Sequence, residues 1–152
     1  MSGGSVRHAD VAGRIFVALW VRLQGSRCQP FNSDMGLRVD NATLRYPDIA
    51  IYSDPRDLDR DDLETREFRH PKVVIEVLSP STAKADRSFK VSEYKTIDAV
   101  SAIVFVDPAT QHLEVHERHG PNEWRHLLLP PGSGLKLIDP ELTLTHGELF
   151  GT

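Results

Sequence analysis

The sequence predicts an α/β (α+β) fold in which a mixed central β-sheet is flanked by helices, and three observations predict it. Apolar residues return at every fourth position from Val11 to Leu23, a β-branched apolar run crosses Lys72 to Leu78, and alternating runs recur through the second half of the chain. The length of 152 residues and the 39% hydrophobic content suit one domain, 1–152, built around a single core.

Val11, Ile15, Leu19 and Leu23 form one stripe of an amphipathic helix, which should cover a sheet. From Cys28 to Val39 the pattern is short and irregular, with Pro30, Asn32-Ser33-Asp34 and Gly36, and predicts one or two brief strands joined by a turn. Pro47 opens the strand Asp48 to Tyr52, where Ile49 and Ile51 share one face while Asp48, Ala50 and Tyr52 share the other. The stretch from Asp54 to Arg69 is dense in acids and arginines and poor in apolar residues, and it predicts an exposed loop with solvated charges. Lys72 to Leu78 is apolar on both faces, as a central strand is. Ser79-Pro80-Ser81-Thr82 breaks it, and Ala83 to Ile97 predicts a helix. Ser101 to Val106 is a strand stopped by Asp107-Pro108, and His112 to Arg118, Trp124 to Leu129 and Leu135 to Ile138 supply three more.

Eighteen Lys and Arg stand against 22 Asp and Glu, giving a formal charge of -4, so no global positive field draws in a polyanion and nucleic acid must be met by a local patch. Cys28 is the one cysteine, which excludes an intrachain disulfide, and without a matching basic environment it reads as an idle thiol. The stretch Ile15 to Leu23 is short and broken by Arg22, so it is neither a signal peptide nor a membrane span; a cytoplasmic protein without a membrane partner is expected.

Glu76 is the most informative residue, because an ionised carboxylate inside an apolar central strand is costly unless a cation or hydrogen bonds compensate it. Alternation puts it on the face of Val74 and Leu78, and Asp48 on the face of Ala50 and Tyr52; if the two strands are neighbours, both acids project to one side. Two converging carboxylates make a hard oxygen site for Mg²⁺ or Mn²⁺, an ion that can activate water and stabilise charge on a phosphoryl oxygen. The following helix offers Asp86, Lys90 and Tyr94 at successive four-residue steps on one face, so Lys90 is the preferred amine over Lys84 and Lys95. His112 and His116 have a spacing that suits zinc on a helix, but their surroundings alternate as a strand does, and they read as part of a solvated sheet face. Ser79 and Ser81 lack an acyl-transfer context and read as shaping the strand-to-helix turn.

Pro47-Asp48, then Val74-Ile75-Glu76-Val77-Leu78-Ser79-Pro80-Ser81-Thr82, then Asp86, Lys90 and Tyr94, then Val106-Asp107-Pro108 resemble in order and spacing the Uma-two family of restriction-endonuclease-like proteins. Leu142-Thr143-Leu144 and Glu148-Leu149-Phe150 look like the closing segment of that family. The resemblance implies a restriction-endonuclease-like PD-(D/E)XK core and a metal-dependent endonuclease acting on nucleic acid, DNA in the first place. Asp48 and Glu76 would bind Mg²⁺ or Mn²⁺ and, with Lys90, be catalytic, while Asp86 and Tyr94 support Lys90. Two departures accompany it. The general motif has its lysine two residues after the second acid, where this chain has Leu78, so the amine must come from Lys90 or be missing. Family members usually begin with a further segment containing an acidic strand pair, and Met1-Ser2-Gly3-Gly4-Ser5 resembles its end. An N-terminally short chain is therefore expected, whose exposed sheet edge can support a homodimer and whose His8 and Asp10 can stand at the rim of the site. The alternative to an enzyme is a catalytically inactive nuclease-fold module that binds nucleic acid or a protein partner.

Overall fold

The computed structural model describes residues 4–59, 61–80 and 84–151. The first helix, α1 (Val6–Arg22), starts at Ser5, whose hydroxyl accepts the His8 amide, and its Val11, Ile15 and Leu19 are buried as the four-residue stripe requires. Eleven strands and two further helices follow among the described residues: β1 (Gln29–Asn32), β2 (Gly36–Asp40), β3 (Thr43–Arg45), β4 (Ile49–Tyr52), β5 (Glu67–Phe68), β6 (Pro71–Val77), α2 (Lys84–Lys95), β7 (Ala102–Val106), β8 (Leu113–Gly120), β9 (Glu123–Leu129), β10 (Leu135–Ile138), β11 (Glu141–Leu144) and α3 (His146–Phe150). Of the expected turn and helix start, Ser81, Thr82 and Ala83 lie outside the described residues.

The main sheet runs in the order β1-β4-β6-β7-β8-β9, mixed as expected, with β6 and β7 parallel and the other neighbours antiparallel. β6 is interior, and its residues are buried on both faces except Lys72 near its start, which is why the sequence reads as a continuous apolar run. On one face Ile49, Ile51, Val73, Ile75, Val77 and Val104 pack against α1, α3 and the β10-β11 hairpin. On the other, Val74, Ile103 and Phe105 pack under α2 through Val91 and Tyr94. A small sheet in the order β3-β2-β5 lies on this second side, and the bidentate pair from Arg45 to Glu93, at 2.8 and 2.7 Å, fixes α2 to it. α3 closes with a capping box between Thr145 and Glu148, and Arg22 at the end of α1 donates to Glu148 and to the Thr143 carbonyl.

The stretch from Cys28 to Val39 forms two brief strands joined by a turn, as expected, with β1 in the main sheet and β2 in the small one. Two expectations need correction. The Asp54–Arg69 stretch is anchored as well as solvated. Asp57 is buried and accepts the Arg69 and His70 amides at 2.9 Å each, and Phe68 of β5 is buried edge-on against Phe31 and Tyr52. The face carrying His116 and Arg118 is covered: His116 is only 6% exposed. Arg118 donates to the carbonyls of Lys95, Ile97, Val100 and Pro121 while its guanidinium lies over the Trp124 ring. Among the described residues no helix is long and apolar enough to cross a membrane.

Candidate functional site

Asp48 stands immediately before β4, and the register Ile49↔Ile75 continues outward to set it across from Glu76. Both side chains leave the sheet on the α2 side, because their neighbours Ile49 and Ile75 face α1. Each carboxylate reaches the other strand's backbone: the Asp48 amide donates to Glu76 Oε1 at 3.2 Å, and the Val77 amide donates to Asp48 Oδ2 at 2.8 Å. These crossed bonds hold the two acids at the end of the β4-β6 ladder.

α2 supplies what the buried anion lacks. Tyr94 OH donates to Glu76 Oε2 at 2.9 Å, and Lys90 Nζ lies 3.4 Å from the same oxygen. Asp86, one turn before Lys90, approaches its ammonium at 3.8 Å and is itself exposed. Burial pushes the Glu76 carboxyl above its ordinary range; Lys90 opposes that shift, and the neighbouring Asp48 adds to it. Burial also raises the Tyr94 hydroxyl, with the Glu76 charge contributing, so Tyr94 keeps its proton and acts as a donor. The three helical residues thus share the face expected of them. Lys95 instead lies over the Trp124 ring at 5.3 Å, and Lys84 borders a groove beside His116. Leu78 carries the β6-β7 pairing one residue further, donating its amide to the Val106 carbonyl at 2.8 Å, with its side chain packed in the α2-side core.

The rim residues part company. His8 Nε2 is 3.3 Å from Asp48 Oδ2, so the first turn of α1 reaches the acid pair. Asp10 pairs with Arg14 at 3.0 Å on an exposed part of the helix. An open cleft of about 580 Å³ beside His8 is lined by Arg7, Leu78, Arg87 and Asp107 among others. Two carboxylates offer the oxygen donors that a hard divalent ion takes, and His8 stands at their edge. The anchor of α2, Arg45 with Glu93, escaped the reading of the sequence, because the partners meet only when the small sheet folds over the helix.

Among curated proteins the chain is similar to the uncharacterized protein slr1290 of Synechocystis sp., 29% identical over 126 residues, covering 82% of this chain and 64% of that protein. The uncharacterized protein sll1609 of the same organism is 24% identical over 126 residues, covering 82% of this chain and 70% of that protein. The chain therefore spans about two thirds of the length of these relatives. Among solved structures, the crystal structure titled as a "putative nuclease belonging to DUF820" from Anabaena variabilis matches with a TM-score of 0.80 at 15% identity, covering 98% of this chain and 83% of that one. That likeness shows the expected restriction-endonuclease-like fold. Residues 1–146 match the family described as "Uma2: Putative restriction endonuclease", and the chain belongs to that family.

Proposed function

We propose that this chain is a metal-dependent endonuclease that hydrolyses phosphodiester bonds in DNA, with Asp48, Glu76 and Lys90 as its catalytic residues. The observation that carries the reading is Glu76: a buried carboxylate paired with Lys90 and set across two antiparallel strands from a second acid. Nuclease descriptions of the family and of the structural neighbour support it.

Asp48 and Glu76 would hold the Mg²⁺ or Mn²⁺, which when bound makes a water more acidic and offsets charge on a phosphoryl oxygen. Tyr94 keeps Glu76 Oε2 in place by donating to it, and as a protonated phenol it does not compete for the ion. Lys90 presents a positive charge where the phosphate or the attacking water would lie, and Asp86 steadies that ammonium from the solvent side. The hydrolysis forms one bond from water oxygen to phosphorus and breaks one phosphorus-to-ester-oxygen bond; the departing oxygen takes up a proton. Arg7 and Arg87 line the neighbouring cleft and give the local positive charge that a chain of net charge -4 needs to meet a phosphate backbone.

The test is nicking of supercoiled plasmid DNA with Mg²⁺ or Mn²⁺. The wild type is expected to cleave and chelator to stop it, and Asp48→Ala and Glu76→Ala are expected to fall by about 100-fold or more. Equal cleavage by all three proteins removes the proposal. A second reading, the inactive module, is favoured by Leu78 in the place where the general motif has its lysine. Undiminished DNA binding with no Mn²⁺ uptake in calorimetry and no cleavage by the wild type would select it.

A further inference from the structure

A second set of ligand-type side chains lies away from the acid pair, on the β8-β9 hairpin. The register pairs His116 with His126, and Glu114 is two residues before His116 on the same strand face. The two imidazoles stack with centroids 4.2 Å apart and planes 12° apart. Both meet one carboxylate oxygen: Glu114 Oε2 is 3.0 Å from His116 Nε2 and 2.9 Å from His126 Nε2. All three ligand atoms lie within 4.8 Å of one another.

We propose that Glu114, His116 and His126 form a binding site for one zinc-like divalent ion, distinct from the Mg²⁺ or Mn²⁺ site assigned to Asp48 and Glu76. Bonds of about 2.0–2.2 Å in a tetrahedral centre put neighbouring ligand atoms roughly 3.3 Å apart, so the two nitrogen-to-oxygen spacings need to open by only a few tenths of an ångström, while the stacked rings must turn out of parallel for both in-plane lone pairs to meet one ion. Two imidazoles and one carboxylate suit zinc, cobalt or nickel and are a poor set for Mg²⁺, which prefers oxygen ligands. His116 is buried, with its ring edge-on to Phe105. Arg87 Nη1 lies 3.7 Å from Glu114 Oε1 and can hold that carboxylate in orientation. A groove bordered by Lys84, Arg87, Ser88 and Val91 opens beside the three ligands and leaves room for a water in the fourth position. The positive charge of Lys84 and Arg87 works against the ion, so the affinity is expected to fall below that of a closed four-ligand zinc site. The site would clamp β9, the edge strand, to β8.

The proposal does not depend on the nuclease reading. It is tested on chelator-treated, tag-free full-length protein titrated with Zn²⁺ by calorimetry, and with Co²⁺ by its visible absorption. Wild type and Glu76→Gln are each expected to bind one equivalent at this site and to melt at a higher temperature with zinc. His126→Gln, at a half-exposed side chain, is expected to bind at least tenfold more weakly and to lose the thermal shift. Glu114→Gln is expected to weaken binding in the same direction. Zinc uptake by His126→Gln equal to wild type, or no uptake by the wild type, overturns the proposal. If Glu76→Gln fails to fold, the comparison of His126→Gln with wild type decides alone.

Discussion

Neighbouring residues of β6 send their side chains into two different environments. Ile75 enters the apolar layer under α1, where Ile15, Leu19, Ile49 and Val104 surround it, while Glu76 enters the layer under α2 beside Tyr94 and Lys90. The first layer is a continuous aliphatic cluster that can supply most of the hydrophobic stabilisation. The second gives part of its volume to the buried Glu76 carboxyl group and, further along the sheet, to buried His116. The contrast teaches that a sheet with one well-packed face can tolerate costly polar groups on the other, which is where the chemistry is assigned.

Substitutions can break or sharpen this contrast. The largest expected effect is on the α1 face: Leu19→Ala or Ile75→Ala should cost about 2–5 kcal/mol in urea unfolding while leaving the acid pair chemically intact. On the α2 face, Tyr94→Phe takes the hydroxyl from Glu76 Oε2 and leaves a buried acceptor with Lys90 alone, an expected loss of about 1–3 kcal/mol. Glu76→Gln should act in the opposite direction when metal is absent. Because burial raises the Glu76 carboxyl above its ordinary 4.5, the folded protein holds that proton more tightly than the unfolded chain does. Stability therefore falls as the pH climbs from the ordinary value through the raised one and stays reduced at neutrality. In chelator-containing buffer, Glu76→Gln is expected to melt above wild type at neutral pH, and the gap to close on acidification toward the ordinary carboxylate range. A wild type as stable as the variant at neutral pH would show that Lys90 and Tyr94 already offset the burial fully. The smallest effect belongs to Asp10→Ala, which removes an exposed helical ion pair and should change stability by less than about 0.5 kcal/mol.

What could be read from the sequence was what short-range pattern determines. The four-residue stripe of α1 and the unbroken apolar run of β6 each report their own burial, and Glu76 is conspicuous because its neighbours along the strand are apolar. The position of Lys90 and Tyr94 on one helical face follows from spacing alone, and the structure brings both to Glu76. What could not be read depends on partners distant in the chain. β5 is two residues long, with Phe68 as its buried anchor, and Asp57 is buried because folding brings it to the amides of Arg69 and His70. The division of β1 and β2 between two sheets leaves no mark in either strand. Spacing along the strand relates His116 to His112, whereas the residue that meets it is His126 across the hairpin.

The most direct test of the central claim is anomalous diffraction from crystals soaked with Mn²⁺. The account predicts a manganese peak with an oxygen of Asp48 and an oxygen of Glu76 each at roughly 2.0–2.6 Å, lost in Glu76→Gln. Manganese found at Glu114, His116 and His126 with none between Asp48 and Glu76 would contradict it.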